Sequence, residues 1–320
     1  MALDTTRGSI MQGTGGRTMW GRGTPPSRLL LPYAFILPSV AILVAFMYFP
    51  AASALYHSFF DWDGATTPRF VGLGNFSEMA GDPVMQAAFV NVLKLVVFNV
   101  VIAMTVPLGV ARIILNLRSR RIQYLFRVLF VVPLVIPQVV IILIWGFLYD
   151  PSSGPLNQIL QAVGLGSLQP QWLGDPNLAL YALMLVGFPF VDGFGLLIYT
   201  AGLQGISGEV LQAAAVDGAG GFRRFWHVEL PLVVGQMRLM MVLNMIGTIQ
   251  NFVFVLLLTN GGPGNATQVP GLALYWNAFQ NGRVGYACAI GTVLFLIMLG
   301  LTYINLRFLR ASADYDPGTD

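Results

Sequence analysis

The chain has 320 residues, 56% hydrophobic and 10% charged, with a formal net charge of +3 and a mean hydropathy of +0.70. That is more apolar surface than a water-soluble core of this size can bury, so the lipid bilayer is the solvent this composition calls for and an ordinary soluble fold is excluded. Cys288 stands alone, ruling out an intrachain disulfide and any site built on several cysteines. Lys94 is the only lysine and no glycine-rich loop precedes it, so a phosphate-cradling P-loop is absent and any ATP used is hydrolysed on another chain. His57 and His227 are too far apart for an HExxH zinc helix, and Gly205-Ile-Ser207-Gly-Glu209 misses the GxSxG elbow, which leaves hydrolytic chemistry without an anchor.

Residues 1–28, rich in Gly, Thr and Arg, read as a flexible tail whose arginines set topology. Apolar runs able to cross roughly 30 Å of hydrocarbon, about 20 residues each, follow near 31–56, 87–115, 124–149, 178–203, 235–259 and 284–308. The expected fold is an all-α membrane protein with six transmembrane helices. Prolines 38, 50, 107, 133, 137 and 189 lie in or near the spans and predict kinks. Ala52-Ser53-Ala54 looks like a signal-peptidase site, but the run before it is needed as span 1 and is read as uncleaved.

Fourteen of the 17 basic residues fall before span 1, between spans 2 and 3, between or beside spans 4 and 5, and after span 6, which places both termini in the cytoplasm. The outer connections, near 57–86, 150–177 and 260–283, are too short for separate folds and read as caps or docking surfaces. Residues 29–85 form a first helix and outer loop, 86–308 a membrane core containing a loop at 205–231, and 309–320 a second cytoplasmic tail.

That loop is the most polar stretch between two spans. Gly208 to Ala215 are good helix formers, Asp217 to Gly221 supply a flexible turn, and Phe222 to Glu229 begin a second short helix before Pro231. Glu209, Gln212 and Ala213 share one face, while Ala214 lies on another. A small-residue helix with a polar edge suits a groove in another protein.

Here the residues resemble a known family. Gln212-Ala-Ala214 with Gly218 and Val228-Glu-Leu-Pro231 resembles the EAA loop of membrane subunits of binding-protein-dependent ABC importers. Phe70-Val-Gly-Leu-Gly-Asn-Phe76, Ala201-Gly-Leu-Gln-Gly-Ile206, Leu258-Thr-Asn-Gly-Gly-Pro263 and Gly285-Tyr-Ala-Cys-Ala-Ile290 extend the resemblance to sugar permeases of the maltose and glycerol-3-phosphate type, over about residues 30–308. The resemblance implies a type I importer core over 86–308 and a coupling helix that docks in a cytosolic ATPase through Glu209, Gln212, Ala213, Ala214, Asp217, Gly218 and Pro231. It implies as partners a second permease subunit, two ATPase copies carrying MgATP, and an external solute-binding protein. The chain itself would bind no cofactor, catalyse no covalent step, meet no nucleic acid and sit as a multi-pass protein in a bacterial plasma (inner) membrane. Gln212 departs from the family's usual glutamate, removing charge assistance from the expected pairing.

In span 5, Asn244, Thr248 and Asn251 at i, i+4 and i+7 predict one polar stripe on an apolar helix, with Asn251 roughly 20 Å from Arg238. Asp192, the one carboxylate deep in a span, must face a cavity, find a partner or be protonated. The uncharged stripe points to a sugar-like, hydroxylated solute carried by alternating access; the rival is a proton-coupled secondary transporter using Asp192. Lys94 is read as snorkelling outward, and Gly285, Ala289 and Thr292 as a small-residue packing face.

Overall fold

The structure is a computed structural model and describes residues 26–308. Of the tails expected at 1–28 and 309–320, residues 1–25 and 309–320, with Arg7, Arg17, Arg22 and Arg310, lie outside the described residues, and residues 26–28 belong to helix α1 (Pro26–Leu43). The described residues divide into two compact units, with the boundary after Ala52.

α1 runs into a π-turn at Val44–Tyr48 and then α2 (Phe49–His57), within which the boundary between the units falls. From Phe35 to Phe49 the large apolar side chains are exposed on all sides, as suits a helix surrounded by lipid. Pro50 supplies the physical reason for the wide turn: its ring clashes with the carbonyl four residues back, and the helix accommodates one extra residue just before it.

After α2 comes the one departure from helix among the described residues. A two-residue antiparallel ribbon pairs β1 (Phe60–Asp61) with β2 (Arg69–Phe70), Phe60 opposite Phe70. The short helix α3 (Gly74–Gly81) follows, and buried Asn75 donates to the carbonyls of Ser58 and Phe60, both at 2.9 Å. Asp82 caps the long helix α4 (Pro83–Leu115) by accepting from the Val84 N–H at 2.8 Å, with Pro83 where no N–H is needed. Pro107 sits inside α4 without ending it.

Span 3 is broken where its two prolines predict. Helix α5 (Arg120–Val131) gives way to a 3-10 turn at Val132–Val135, and α6 (Gln138–Leu148) leaves at 95° to the segment before it. Beyond it, α7 (Pro155–Ala162) is held by buried Asn157, which donates to Pro151 O and accepts from Trp172 Nε1 at 3.0 Å.

The run expected as span 4 is interrupted at Pro189, as that proline predicts, and the run expected as span 5 is interrupted at Asn251, where no proline marked a break. The run 178–203 is two helices, α8 (Ala179–Leu185) and α9 (Gly193–Gln204), separated by backbone in which Gly187 and Phe190 have φ of 92° and 63°. Left-handed residues cannot continue an α-helix, and Pro189 between them removes a further donor. The helix-turn-helix comprises α10 (Gly208–Val216), α11 (Gly221–Arg224), a π-turn at Phe225–Glu229 and α12 (Leu230–Leu232). Pro231 stands to this π-turn as Pro50 does to the first. The run 235–259 is α13 (Val234–Gln250) and α14 (Val253–Leu258), broken at Asn251. The outer α15 (Pro270–Phe279) and long α16 (Val284–Phe308) complete the chain.

Among the described residues, three helices are long and apolar enough to cross a membrane, or six if each of three bent pairs counts as one span. α4 lies at the centre, packed on α13 and α9, while α15 packs on α16. One buried cluster gathers Leu95, Val96, Met245, Ile249, Leu272 and Ile290; a second gathers Leu108, Ala111, Leu196, Tyr199, Val233 and Met240. Gly285 admits α16 to the ribbon: a Cβ there would lie 2.0 Å from the Phe60 carbonyl oxygen, and the Gly285 N–H donates to Trp62 O at 2.9 Å. Ala289 is buried, and the Thr292 hydroxyl bonds back to Cys288 O.

Candidate functional site

The breaks in the helices converge on one cleft of about 770 Å³. Asn99 of α4, Gln138 at the start of α6, Asp192, and Asn244, Thr248, Gln250 and Asn251 from or beside α13 supply its polar lining, among apolar groups such as Leu95, Ile142, Met184 and Phe254. The polar side chains are five amides, the Thr248 hydroxyl and one carboxylate, and among the described residues no arginine or lysine lines the cleft.

Asp192 is the N-cap of α9, accepting from the Gly195 N–H at 2.7 Å and the Phe194 N–H at 3.3 Å. Its charge therefore rests against the positive end of a helix while the residue remains exposed to the cleft. Gly193 and Gly195 let the helix start close to its neighbours. A Cβ on Gly193 would meet Phe130 O at 2.7 Å, and one on Gly195 would meet the Met240 side chain at 2.9 Å.

Asn244, Thr248 and Asn251, expected on one stripe, do share this cleft with Asp192. The stripe is helical only as far as Gln250, however, since Asn251 has φ −84° and ψ 78° and follows the helix end. Asn99 donates to the Thr248 hydroxyl at 3.2 Å, and Asn244 donates to Met240 O at 3.0 Å. Asn99, Gln138 and Gln250 escaped the sequence reading. Asn99 and Gln138 are single polar residues in apolar runs, a signal that was available. Lys94 is exposed and is not among the lining residues.

The helix-turn-helix presents a second polar surface. Ser207 caps α10 through the Val210 N–H at 3.4 Å, and Glu209, Gln212 and Ala213 are exposed, as are Asp217, Gly218 and Pro231. Ala214 is buried and faces away from that surface. The turn expected to be flexible is closed by hydrogen bonds: the Ala219 N–H donates to Ala214 O at 2.9 Å and the Gly218 N–H to Ala215 O at 3.1 Å, with Gly218 at φ 72°. This six-to-one and five-to-two pattern is the Schellman stop, for which glycine is suited by its lack of a Cβ. The sequence reading also missed Arg112, which reaches from the end of α4 to Glu229 in the second half of the bend.

A cleft lined by amides, one hydroxyl and one carboxylate among apolar helices, beside an exposed helical bend, is the layout of an integral membrane transport component. Residues 103–310 match the model of the binding-protein-dependent transport system inner membrane component family, and the chain belongs to that family. It is 33% identical to the probable ABC transporter permease protein YurN of Bacillus subtilis over 89% of this chain and 98% of that protein. It is 32% identical to the diacetylchitobiose uptake system permease protein NgcF of Streptomyces coelicolor over 87% of this chain and 84% of that one. An sn-glycerol-3-phosphate transport system permease, UgpA of Agrobacterium fabrum, is 30% identical over 89% of this chain and 97% of its own length. The fold is shared with a chain in the crystal structure of a bacterial ABC transporter involved in the import of the acidic polysaccharide alginate, with TM-score 0.76, 21% identity and coverage of 89% of this chain and 98% of that chain. The protein is a transport component and not an enzyme.

Proposed function

We propose that this chain forms half of the translocation pathway of an ATP-driven importer that carries a neutral sugar or sugar-like solute across the plasma membrane by alternating access. The observation that carries this reading is the cleft lining, whose polar side chains are amides and hydroxyls with one carboxylate, already engaged by a helix end. Amides and hydroxyls can exchange hydrogen bonds with sugar hydroxyls one for one. An anionic solute would find no side-chain cation in the lining and a fixed negative charge instead, which distinguishes this cleft from one suited to phosphate esters or acidic polysaccharides.

In this reading six spans lie near 31–56, 87–115, 124–149, 178–203, 235–259 and 284–308 with both termini cytoplasmic, and the last five belong to the permease core over 86–308. The helix-turn-helix docks in a cytosolic ATPase through Glu209, Gln212, Ala213, Asp217, Gly218 and Pro231, with Ala214 supporting the helix from its inner face. MgATP is bound and hydrolysed by two ATPase copies, a second permease subunit completes the pathway, and an external binding protein delivers the solute. Asn99, Asn244, Thr248, Asn251 and Asp192 line the route. The alternative is a proton-coupled secondary transporter using Asp192, whose carboxylate accepts two helix-capping bonds at the cleft.

Purification of the tagged chain from its native membrane, followed by reconstitution of the recovered assembly in liposomes, tests the proposal. The expected result is a stoichiometric ATPase and second permease, with uptake of neutral oligosaccharides that needs ATP and survives a protonophore. Uptake by the chain alone, collapsing with the proton gradient, would overturn it.

A further inference from the structure

Glu229 is 5% exposed, yet both carboxylate oxygens have cationic partners. Oε1 accepts from Arg224 Nε at 2.7 Å and Oε2 from Arg112 Nε at 2.8 Å. Arg224 belongs to the same bend, five residues earlier. Arg112 comes from the last turn of α4. It also donates through Nη2 to the carbonyl of Gly221 and lies over the Phe225 ring, 4.6 Å from its centroid. One side chain of α4 therefore grips the bend at Gly221, Phe225 and Glu229.

A buried carboxylate shared by two guanidinium groups has a fixed geometry, because moving either partner leaves charge uncompensated away from water. The joint cannot slide as an apolar contact can. Thirteen residues before Arg112 on the same helix is Asn99, bonded to Thr248 across the cleft. At 1.5 Å per residue α4 links the two as a rod of roughly 20 Å, and the helix continues through Pro107.

We propose that the Arg112–Glu229–Arg224 cluster is the strut that passes movement of the helix-turn-helix to α4 and through it to the cleft wall, with Arg112 and Glu229 as positioning residues. This rests on the reading of the bend as the ATPase-docking element. Arg224 steadies the carboxylate from within the bend, whereas Arg112 makes the connection between elements. The inference is independent of the exposed face of α10, none of whose residues takes part in the cluster.

The test uses the whole assembly in liposomes with its binding protein, scoring co-purified ATPase, ATP hydrolysis and solute carried per ATP. Arg112→Gln and Glu229→Gln are expected to retain the ATPase at wild-type stoichiometry and to hydrolyse ATP, while carrying on the order of tenfold less solute per ATP. The double variant should be no worse than either single one, since both remove one joint. Arg224→Gln should lose less. A tie that only stabilises the fold would lower abundance and leave solute per ATP unchanged.

Wild-type solute per ATP in both single variants would overturn the strut while the docked ATPase left the docking reading intact. Failure of the wild-type chain to recover any ATPase would overturn the docking reading and the strut with it. If Glu229→Gln does not accumulate, Arg112→Lys decides the matter. It keeps a cation at the carboxylate but loses the guanidinium fork, so reduced solute per ATP supports the strut and an unchanged value overturns it.

Discussion

Asn91 and Gln268, 177 positions apart, are joined by a 3.1 Å hydrogen bond from the Asn91 side-chain amide to the Gln268 carbonyl, and the same amide donates to Ala266 O at 3.0 Å. Both bonds fasten the segment after α14 onto α4. The Thr259 and Thr267 hydroxyls close the segment on itself at 2.7 Å, and Thr267 reaches Gly262 O at 2.7 Å. Replacing Asn91 by Leu leaves these carbonyls without the amide, at an expected cost of about 1–3 kcal/mol. A thermal unfolding midpoint in detergent equal to that of the wild type would contradict this.

At Asp192, substitution by Asn retains an oxygen for the α9 cap and removes the charge. ATP-dependent uptake of a neutral solute should persist within a few-fold, and exclusion of anionic analogues should relax. Asp192→Ala also removes the cap, with a loss of about 1 kcal/mol in stability. Abolition of uptake by Asp192→Asn, with normal abundance and assembly, would favour proton coupling over the proposal.

On the helix-turn-helix, Ala213→Asp adds charge and bulk to the exposed face of α10, and Gly218→Pro removes a hydrogen-bonded N–H from a residue at φ 72°, which proline cannot adopt. Both variants should remain in the membrane and lose solute uptake. Uptake at the wild-type level and equal abundance in either would remove this surface from the coupling role.

Asp63 makes a tight loop before β2, its Oδ1 accepting from the N–H groups of Thr66 and Ala65 and from the Thr66 hydroxyl, at 2.7–2.9 Å. These bonds, the backbone ones foremost, hold the carboxyl down from 3.8 to about 2. Because the folded group is the stronger acid, the unfolded chain takes up its proton first as pH falls. The contribution to stability is complete above pH 3.8 and is lost as pH falls through about 2. Wild type should therefore exceed Asp63→Asn in thermal midpoint at neutral pH and match it near pH 2; a gap unchanged across that range would contradict the assignment.

Much of this was legible because lipid imposes simple rules. The apolar runs at 31–56, 87–115 and 284–308 marked helices long and apolar enough to cross a membrane, and Gln212, Gly218 and Pro231 marked a bend that the structure resolves into α10, α11 and α12. The break in span 4 was marked by Pro189 among Gly187, Gly193 and Gly195, whereas the break in span 5 was not legible, since hydropathy measures solvent preference and is blind to backbone direction, and no proline or glycine stands next to Asn251. Arg112 was hidden for another reason. Counted as one of many positive charges at the cytoplasmic edge, it gave no sign that its partner lay 117 residues away.

The stop at Gly218 engages the Ala214 and Ala215 carbonyls at the end of α10, which holds that end against further winding and fraying. At nine residues it is a stiff bar roughly 14 Å long. Pressure on its exposed face must then appear as torque on the residues that hold it, not as lost helical turns, and a short bar with a locked end returns the full stroke of whatever pushes it.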